Sequence, residues 1–85
     1  MAVRAYVLIR CEGAISEEVV RKLRQKEHVK QADTIFGDYD AIAYLEISAM
    51  PSSFSVLSLQ KVILEEVQKI KGVTSTNTHI VTSPE

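Results

Sequence analysis

The densest group of polar side chains in this sequence is the stretch Phe36-Gly37-Asp38-Tyr39-Asp40, which joins two segments with the composition of β-strands. Glycine adopts positive φ freely and aspartate tolerates turn geometry, so turn statistics favour a turn with capping aspartates. At a subunit boundary the same groups could also recognise a ligand. The Asp40 carboxylate could pair with an ammonium group, while N–H groups around Gly37 and Asp38 bind a carboxylate. Both interpretations stay open.

The other reactive side chains are isolated from one another. His28 and His79 are far apart in sequence, and neither has a second histidine or cysteine at metal-ligand spacing. Cys11 is a candidate nucleophile only if a base lies beside it, and a buried or incidental thiol is favoured. Asp38 and Asp40 lack a third oxygen ligand at a recognisable spacing. We therefore expect no metal, no cofactor and no catalytic residue.

The length and the net charge of the chain further limit the classes of protein to which it can belong. A chain of 85 residues predicts one domain, residues 1–85, whose small sheet needs a partner subunit. A net charge of −1 does not provide the basic field that phosphate contacts require, which disfavours direct nucleic-acid binding. One cysteine excludes an intramolecular disulfide, and the apolar runs are too short to span a membrane. The start of the chain does not resemble a signal peptide, so we expect a cytoplasmic protein.

Periodicity predicts six elements around the turn. Val3–Arg10, Val29–Phe36, Ala41–Ile47 and Val73–Thr82 have the composition of strands. Apolar residues at helical spacing predict two helices, one beginning at Ser16 and one from Phe54 to Ile70 after the loop 48–53. The order is strand, helix, strand, turn, strand, helix, strand, and it divides at Gly37 into two similar halves. Right-handed crossovers then give a ferredoxin-like α+β fold, with four antiparallel strands and both helices on one face.

The helix boundaries follow from local signals. Ser16 is expected to be the N-cap, with Ile15 and Val20 forming a hydrophobic staple. The inward stripe of the first helix is Val19, Val20 and Leu23. The stripe of the second helix consists of apolar residues three, four or seven apart: Val56, Leu59, Ile63, Val67 and Ile70, widened by Leu57 and Leu64. Gly72 suits the position after that helix.

The strands predict two different sheet faces. Ala41 and Ala43 are small, which lets helices approach closely, so their face is assigned to the helices. The opposite face carries four large side chains: Tyr6, Leu8, Ile42 and Tyr44. Such a patch is too apolar to leave in water. We therefore expect this face to form a homodimer interface.

The sequence resembles the C-terminal effector domain of the Lrp/AsnC family of feast/famine regulators. The resemblance rests on Ile35-Phe36-Gly37-Asp38-Tyr39-Asp40-Ala41, on Lys71-Gly72-Val73, and on Thr76-Asn77-Thr78-His79-Ile80-Val81. These segments match a G-x-Y-D turn, a G-V step, and a T-x-T run followed by an aliphatic pair, in the family's order and spacing. The resemblance covers essentially the whole chain.

This resemblance implies an assembly and a ligand. Members of the family dimerise through their sheets, often form rings of dimers, and bind amino acids or related small molecules at contacts between dimers. Gly37, Tyr39 and Asp40 match the turn motif, Asp38 fills its variable position, and Thr76 and Thr78 match the strand threonines. The usual N-terminal helix-turn-helix domain has no counterpart here. The resemblance thus implies a stand-alone effector module that regulates transcription indirectly, through ligand sensing or co-assembly with full-length regulators.

Two other functions remain as alternatives to a non-catalytic effector module. Dimeric ferredoxin-like folds also serve as small enzymes, but this sequence shows no arginine-bearing anion loop and no helix-facing pair of histidines. A purely structural assembly partner would use the same aspartates in subunit contacts alone. Substitution of Asp40 and a search for ligands separate these alternatives.

Overall fold

The structure is a computed structural model that describes residues 2–48 and 56–83. Its elements are β1 (Ala2–Cys11), α1 (Ser16–Leu23), β2 (Val29–Thr34), β3 (Ala41–Ser48), α2 (Val56–Ile63) and β4 (Val73–Ile80). A π-helical turn, Leu64–Gln68, continues α2. The strands form one antiparallel sheet in the order β2-β3-β1-β4. The predicted ferredoxin-like α+β fold is confirmed.

Alternation along the two central strands places every second residue under the helices. The buried residues of β1 and β3 are Ala5, Val7, Ile9, Ala41, Ala43, Leu45 and Ile47. They form a single core with Val19, Val20 and Leu23 of α1 and with Leu59, Ile63, Val67 and Ile70 of the second helical segment. Ala41 and Ala43 are fully buried, as expected for a strand that helices approach closely. This face of the sheet is therefore the one that the sequence assigned to the helices.

The opposite face of the sheet carries the predicted aromatic patch. In the register between β1 and β3, Tyr6 lies opposite Tyr44 and Leu8 opposite Ile42. The two tyrosine rings are 5.0 Å apart between centroids. Tyr6 remains 46% exposed. The placement of the four side chains on one outer face is confirmed, whereas their role in a dimer stays a prediction.

The start of α1 differs from the predicted one. The N-cap is Ile15, whose carbonyl accepts the Val19 N–H at 3.0 Å, and no side chain caps this end. The N-cap prediction for Ser16, and the staple drawn from it, are therefore wrong by one residue. The physical reason is a distant contact, because Ile15 packs against the core and over Gly72. That packing fixes the entry of the chain into the helix.

The side chains of the second helical segment follow the predicted stripe with one exception among those described, and those of Val56 and Leu57 lie outside the description. Leu59, Ile63, Val67 and Ile70 are buried as predicted, but Leu64 is 48% exposed, so its place in the stripe is wrong. The π-helical turn begins at Leu64 and widens the helix there. The predicted loop 48–53 lies, except for Ser48, outside the described residues, as does the predicted helix start at Phe54.

Two strands end earlier than predicted. β2 ends at Thr34 instead of Phe36, and β4 ends at Ile80 instead of Thr82. Single backbone hydrogen bonds continue the pairing for one residue in each case, from the Ile35 N–H to Asp40 O at 3.0 Å and from the Val81 N–H to Arg4 O at 2.8 Å.

Within the two described ranges, no helix is long and apolar enough to cross a bilayer.

Candidate functional site

The loop between β2 and β3, residues 35–40, is fastened to the sheet at its C-terminal end. The Asp40 N–H donates to Ile9 O at 2.9 Å, so the loop is tied to β1 as well as to its own hairpin. Gly37 has a φ of +152°, a conformation that other residues seldom adopt. In the part of the loop before Asp40, the residues Phe36, Gly37 and Asp38 are exposed to solvent.

The Asp40 carboxylate caps the end of β1. Its Oδ2 accepts the Cys11 N–H at 2.8 Å. This bond lies where the pairing of β1 with β4 shifts register, between Arg10 and Cys11. Asp40 is therefore a capping aspartate, although the N–H that it caps belongs to β1 and not to its own loop. Burial raises the pKa of the neighbouring Cys11 thiol, and the negative charge of Asp40 raises this pKa further.

Arg10 holds the loop against the outer face of the sheet. Its Nε donates to Asp38 O at 3.1 Å, and its guanidinium lies 4.7 Å from the centre of the Tyr39 ring. On the other side, Asn77 Nδ2 donates to the Tyr39 hydroxyl at 3.3 Å. Neither Arg10 nor Asn77 was singled out from the sequence, because their roles depend on the packing of β1 between β3 and β4.

The loop leaves a set of polar groups available to a ligand. Within the described residues, the backbone N–H groups of Phe36, Gly37, Asp38 and Tyr39 have no protein acceptor. The Asp38 carboxylate likewise has no hydrogen-bond partner in residues 2–48 and 56–83. Donors for a carboxylate and an acceptor for an ammonium group thus lie within a few residues of each other.

A second concave site, which we name the α2–β4 groove, lies on the helix side of the sheet. It has a volume of about 480 Å³. Apolar side chains and small polar groups line it: Leu59, Gln60, Ile63, Leu64, Gln68, Thr76, Thr78 and Ile80. Gln68 Nε2 donates to Thr76 Oγ1 at 2.9 Å across it. Thr76 and Thr78 were identified from the sequence, whereas the contribution of Leu64 and Gln68 depends on the π-helical turn.

The predicted site residues fall into two places within one chain. Thr76 pairs with Ile9 and Thr78 with Val7, so both threonines face the helices. Asn77, the β4 contact of Tyr39, pairs with Leu8 and therefore faces the outer side. The structure brings Gly37, Asp38, Tyr39 and Asp40 together in the loop. It does not bring them to the threonines of the same chain.

The histidines have separate positions. The His28 ring bonds through Nδ1 to Glu66 Oε2, and the His28 N–H donates to Glu66 Oε1 at 3.0 Å. His28 thereby links the start of β2 to the π-helical turn. His79 lies exposed on β4. In the described part of the chain, no three His, Cys, Asp or Glu side chains are grouped as metal ligands.

Comparison with known proteins places this geometry in a family. Residues 4–84 match the family model of the Lrp/AsnC ligand binding domain. No curated protein sequence matches the chain.

Solved structures of similar fold include regulators and a shorter chain. Escherichia coli AsnC has a TM-score of 0.80 and 24% identity, over 96% of this chain and 52% of that chain. FFRP-DM1 has a TM-score of 0.75 and 26% identity, over 94% of this chain and 99% of that chain. A complex of a Neisseria meningitidis transcriptional regulator with L-Met has a TM-score of 0.74 and 13% identity, over 95% of this chain and 50% of that chain. The present chain spans about half of AsnC, 52%.

Proposed function

The chain belongs to the Lrp/AsnC ligand-binding domain family, and on this premise we propose that it binds an amino acid or a related small molecule and forms homo-oligomers. The observation that carries the proposal is the loop 35–40, where N–H groups without an acceptor in the described part of the chain lie beside carboxylates. A zwitterion needs both kinds of partner at close range. The L-Met complex of the Neisseria meningitidis regulator supports the same class of ligand.

Each polar group of the ligand has a partner in this proposal. The α-carboxylate accepts hydrogen bonds from the N–H groups of Gly37 and Asp38, and the ammonium group pairs with Asp40 or Asp38. The bond from Cys11 to Asp40 Oδ2 does not prevent this, because an ionised carboxylate has about four lone-pair sites. Tyr39 is held in place by Arg10 and Asn77, which keeps the loop in one conformation. A loop that is already ordered loses less entropy when a ligand binds.

The assembly supplies what a single chain lacks. We propose that the outer face, with Tyr6, Leu8, Ile42 and Tyr44, forms a homodimer, and that dimers join into a higher oligomer such as a ring. Thr76 and Thr78 face away from the loop of their own chain. In this proposal they therefore contact a ligand that is held by the loop of another subunit.

The proposed module is not an enzyme and acts in the cytoplasm. It modulates transcription indirectly, through ligand-dependent assembly or through co-assembly with full-length Lrp/AsnC-type regulators. It needs no cofactor, and it makes no direct contact with nucleic acid or membrane. The observation that favours the alternative, a purely structural assembly partner, is the capping bond from Cys11 to Asp40, which gives that aspartate a structural role.

A thermal-shift screen of the twenty amino acids, with light scattering on the hits, tests the proposal. A ligand that binds only the folded protein raises the melting temperature with its concentration. We expect one or a few amino acids to do so and to change the size of the assembly. A flat screen with a stable oligomer would instead favour the structural partner.

Substitution of Asp40 then separates recognition from capping. Asp40→Ala removes both the charge and the cap on the Cys11 N–H, so Asp40→Asn is the sharper variant, because it keeps an oxygen acceptor. Loss of a charge-assisted bond to the ammonium group should weaken binding by about tenfold or more, with the dimer retained. Asp38→Asn removes the other carboxylate of the loop that could pair with the ammonium group. Unchanged affinity in both variants would contradict carboxylate recognition.

The dimer has its own test in Tyr44→Glu. Tyr44 lies beside Tyr6 on the outer face, and a carboxylate buried there without a partner costs several kcal/mol. We expect monomers in sedimentation velocity at concentrations where the unaltered protein is dimeric. An unaltered dimer would refute the assignment of this face. Lys30→Glu, on the exposed edge strand β2, is the control for added charge alone.

A further inference from the structure

The exposed large apolar side chains fall into three places. In the described part of the chain they are Tyr6, Ile35, Phe36, Leu64 and Ile80. Tyr6 belongs to the outer face that the proposed dimer covers. Ile35 and Phe36 form a projection on the loop, and Leu64 and Ile80 border the α2–β4 groove. Two of the three places therefore have no assigned partner.

Phe36 is the most exposed of these side chains. At 107% relative exposure it makes no contact that shields it from water. Its neighbours nevertheless fix the loop, through the Ile35 N–H bond to Asp40 O at 3.0 Å and the Arg10 bond to Asp38 O at 3.1 Å. An aromatic side chain that is fully exposed on an anchored loop is stabilised by the hydrophobic effect when it is buried. The loop thus presents an apolar anchor.

The α2–β4 groove has the chemistry to receive an aromatic ring. Leu59 and Ile63, both buried, form its floor, while Leu64 and Ile80 are 48% and 44% exposed at its borders. Its volume of about 480 Å³ lies in the range of pockets that hold small ligands. None of the lining residues within the described ranges is charged, so Asp38 and Asp40 of an incoming loop would meet no like charge among them.

We propose that Phe36 of one copy of this chain inserts into the α2–β4 groove of a second copy. The projection and the groove are different surfaces of one molecule, so the contact is heterologous. Heterologous contacts repeat from copy to copy and close into a ring or continue as a filament. The inference deepens the proposed function by naming the second interface of the oligomer, and it rests on that function for the dimer through the outer face.

Polar groups at the two surfaces are complementary as well. The loop has an N–H donor at Phe36 that the proposed ligand does not use and that has no protein acceptor in the described residues. Gln68 uses its Nε2 as a donor to Thr76, which leaves its side-chain oxygen as an acceptor at the groove. Insertion of the ring brings such donors and acceptors to the same interface, where they satisfy one another.

The buried area favours a second copy within an assembly of dimers. A buried Phe contributes about 150–250 Å², far less than the roughly 1,200 Å² of a stable pairwise interface. One such contact is weak by itself. A dimer has two loops and two grooves, and simultaneous contacts reinforce one another through effective concentration. The projection is therefore expected to join dimers and not to hold isolated monomers together.

Sedimentation velocity of charge variants is the first test, carried out without ligand. We expect Phe36→Asp and Leu64→Asp each to convert the higher oligomer into dimers, and Phe36→Leu to retain it. Both substituted positions, Phe36 and Leu64, are exposed, so folding is preserved, and circular dichroism checks this. An unaltered chain that never exceeds a dimer at millimolar concentration, or a Phe36→Asp oligomer of full size, would overturn the proposal.

Disulfide trapping identifies the two surfaces directly. In a Cys11→Ser background, Phe36→Cys and Leu64→Cys are placed on separate chains that a mass tag distinguishes. Mixed oxidation should give the tagged–untagged disulfide as the main product. Self-pairing of the Phe36→Cys chain would indicate an isologous contact and overturn the proposal. The trapping experiment contains no added amino acid, so its result does not depend on ligand binding. If trapping succeeds and the ligand screen shows no stabilisation, only the proposed ligand binding is contradicted.

Discussion

The two halves of the chain repeat the same order of elements but close their edges of the sheet differently. In the first half, Arg24 follows α1 and donates Nε to Ala32 O of the edge strand β2 at 2.9 Å, with a second contact to Asp33 at 3.4 Å. In the second half, a single neutral bond joins Gln68 to Thr76 of the edge strand β4. The Arg24 guanidinium thus covers the edge at β2, whereas the α2–β4 groove is open at the edge at β4.

The difference arises in the helices. α1 is a regular helix that buries Val19, Val20 and Leu23, whereas α2 changes into a π-helical turn at Leu64. π-Helical turns often occur at functional sites, because the wider turn changes the direction of the side chains. The α2–β4 groove therefore lies where the second half departs from the first.

Gly72→Ala should have the largest effect, because Gly72 lies where the two halves meet. A Cβ there would be 2.0 Å from Ile15 Cδ1, and the φ of +98° is strained for alanine. Strain and overpacking together cost about 3 kcal/mol. The measurement is the free energy of unfolding in urea.

Gly13→Ala is the matched control for that substitution. Gly13 also has a positive φ, +50°, but a Cβ at this position meets nothing within 4 Å. The expected cost is about 1 kcal/mol, from backbone strain alone. Equal costs at the two glycines would show that the contact between Ile15 and Gly72 does not join the halves.

Asp40→Ala should have the next largest effect, in the loop that connects the halves. It leaves the half-buried Cys11 N–H without its acceptor, which costs about 1.5–2 kcal/mol. Asp38→Ala, whose carboxylate has no partner in the described residues, should change stability by less than about 0.5 kcal/mol. Thermal or urea unfolding gives both values, and similar losses would contradict the capping role of Asp40.

Substitutions at the two edges test the comparison itself. Arg24→Ala removes a charged donor from Ala32 O, partly exposed, and should cost about 1 kcal/mol. Gln68→Ala removes an exposed neutral bond and should cost less than about 0.5 kcal/mol. Urea unfolding of both variants decides the point. A larger loss at Gln68 would mean that the groove edge is the better closed of the two.

The reactivity of Cys11 gives the smallest effect. Burial and then the charge of Asp40 raise the pKa of its thiol, so less thiolate is present at neutral pH than in a free cysteine. In Asp40→Asn the pKa should fall, and the rate of reaction with a thiol reagent at pH 8 should rise. The rate should increase with pH in both proteins. A slower variant would contradict the sign.

The faces of the strands were predictable from the sequence, and the meeting points of distant segments were not. Alternation placed Ala41, Ala43 and Leu45 under the helices, because a strand has a strict period of two. The prediction of Ser16 as the N-cap of α1 was wrong because Ile15 packs on Gly72, more than fifty residues away along the chain. The prediction that Leu64 belongs to the buried stripe was wrong because the spacing of apolar residues does not reveal a wider helical turn.

The candidate site divides along the same line. The residue types of the loop 35–40 indicated its polar chemistry, and the structure keeps those residues together. Alternation puts Asn77 on the opposite face of β4 from Thr76 and Thr78, but no local pattern showed that the loop contacts Asn77, because that depends on how the strands pack. Arg10 was missed for the same reason, since its contacts with Asp38 and Tyr39 cross between strands.

The strand order has a consequence for how this chain folds. β1 lies between β3 and β4, both from the second half, while β2 pairs with β3 alone. Neither half contains a pair of adjacent strands, so a fragment cut at Gly37 has no sheet of its own. The one local strand pair is the β2–β3 hairpin, which spans that cut, whereas β1 pairs with β3 and β4 only after long loops close, and this slows folding. A nascent chain gains its first strand pairing only after β3 has been synthesised.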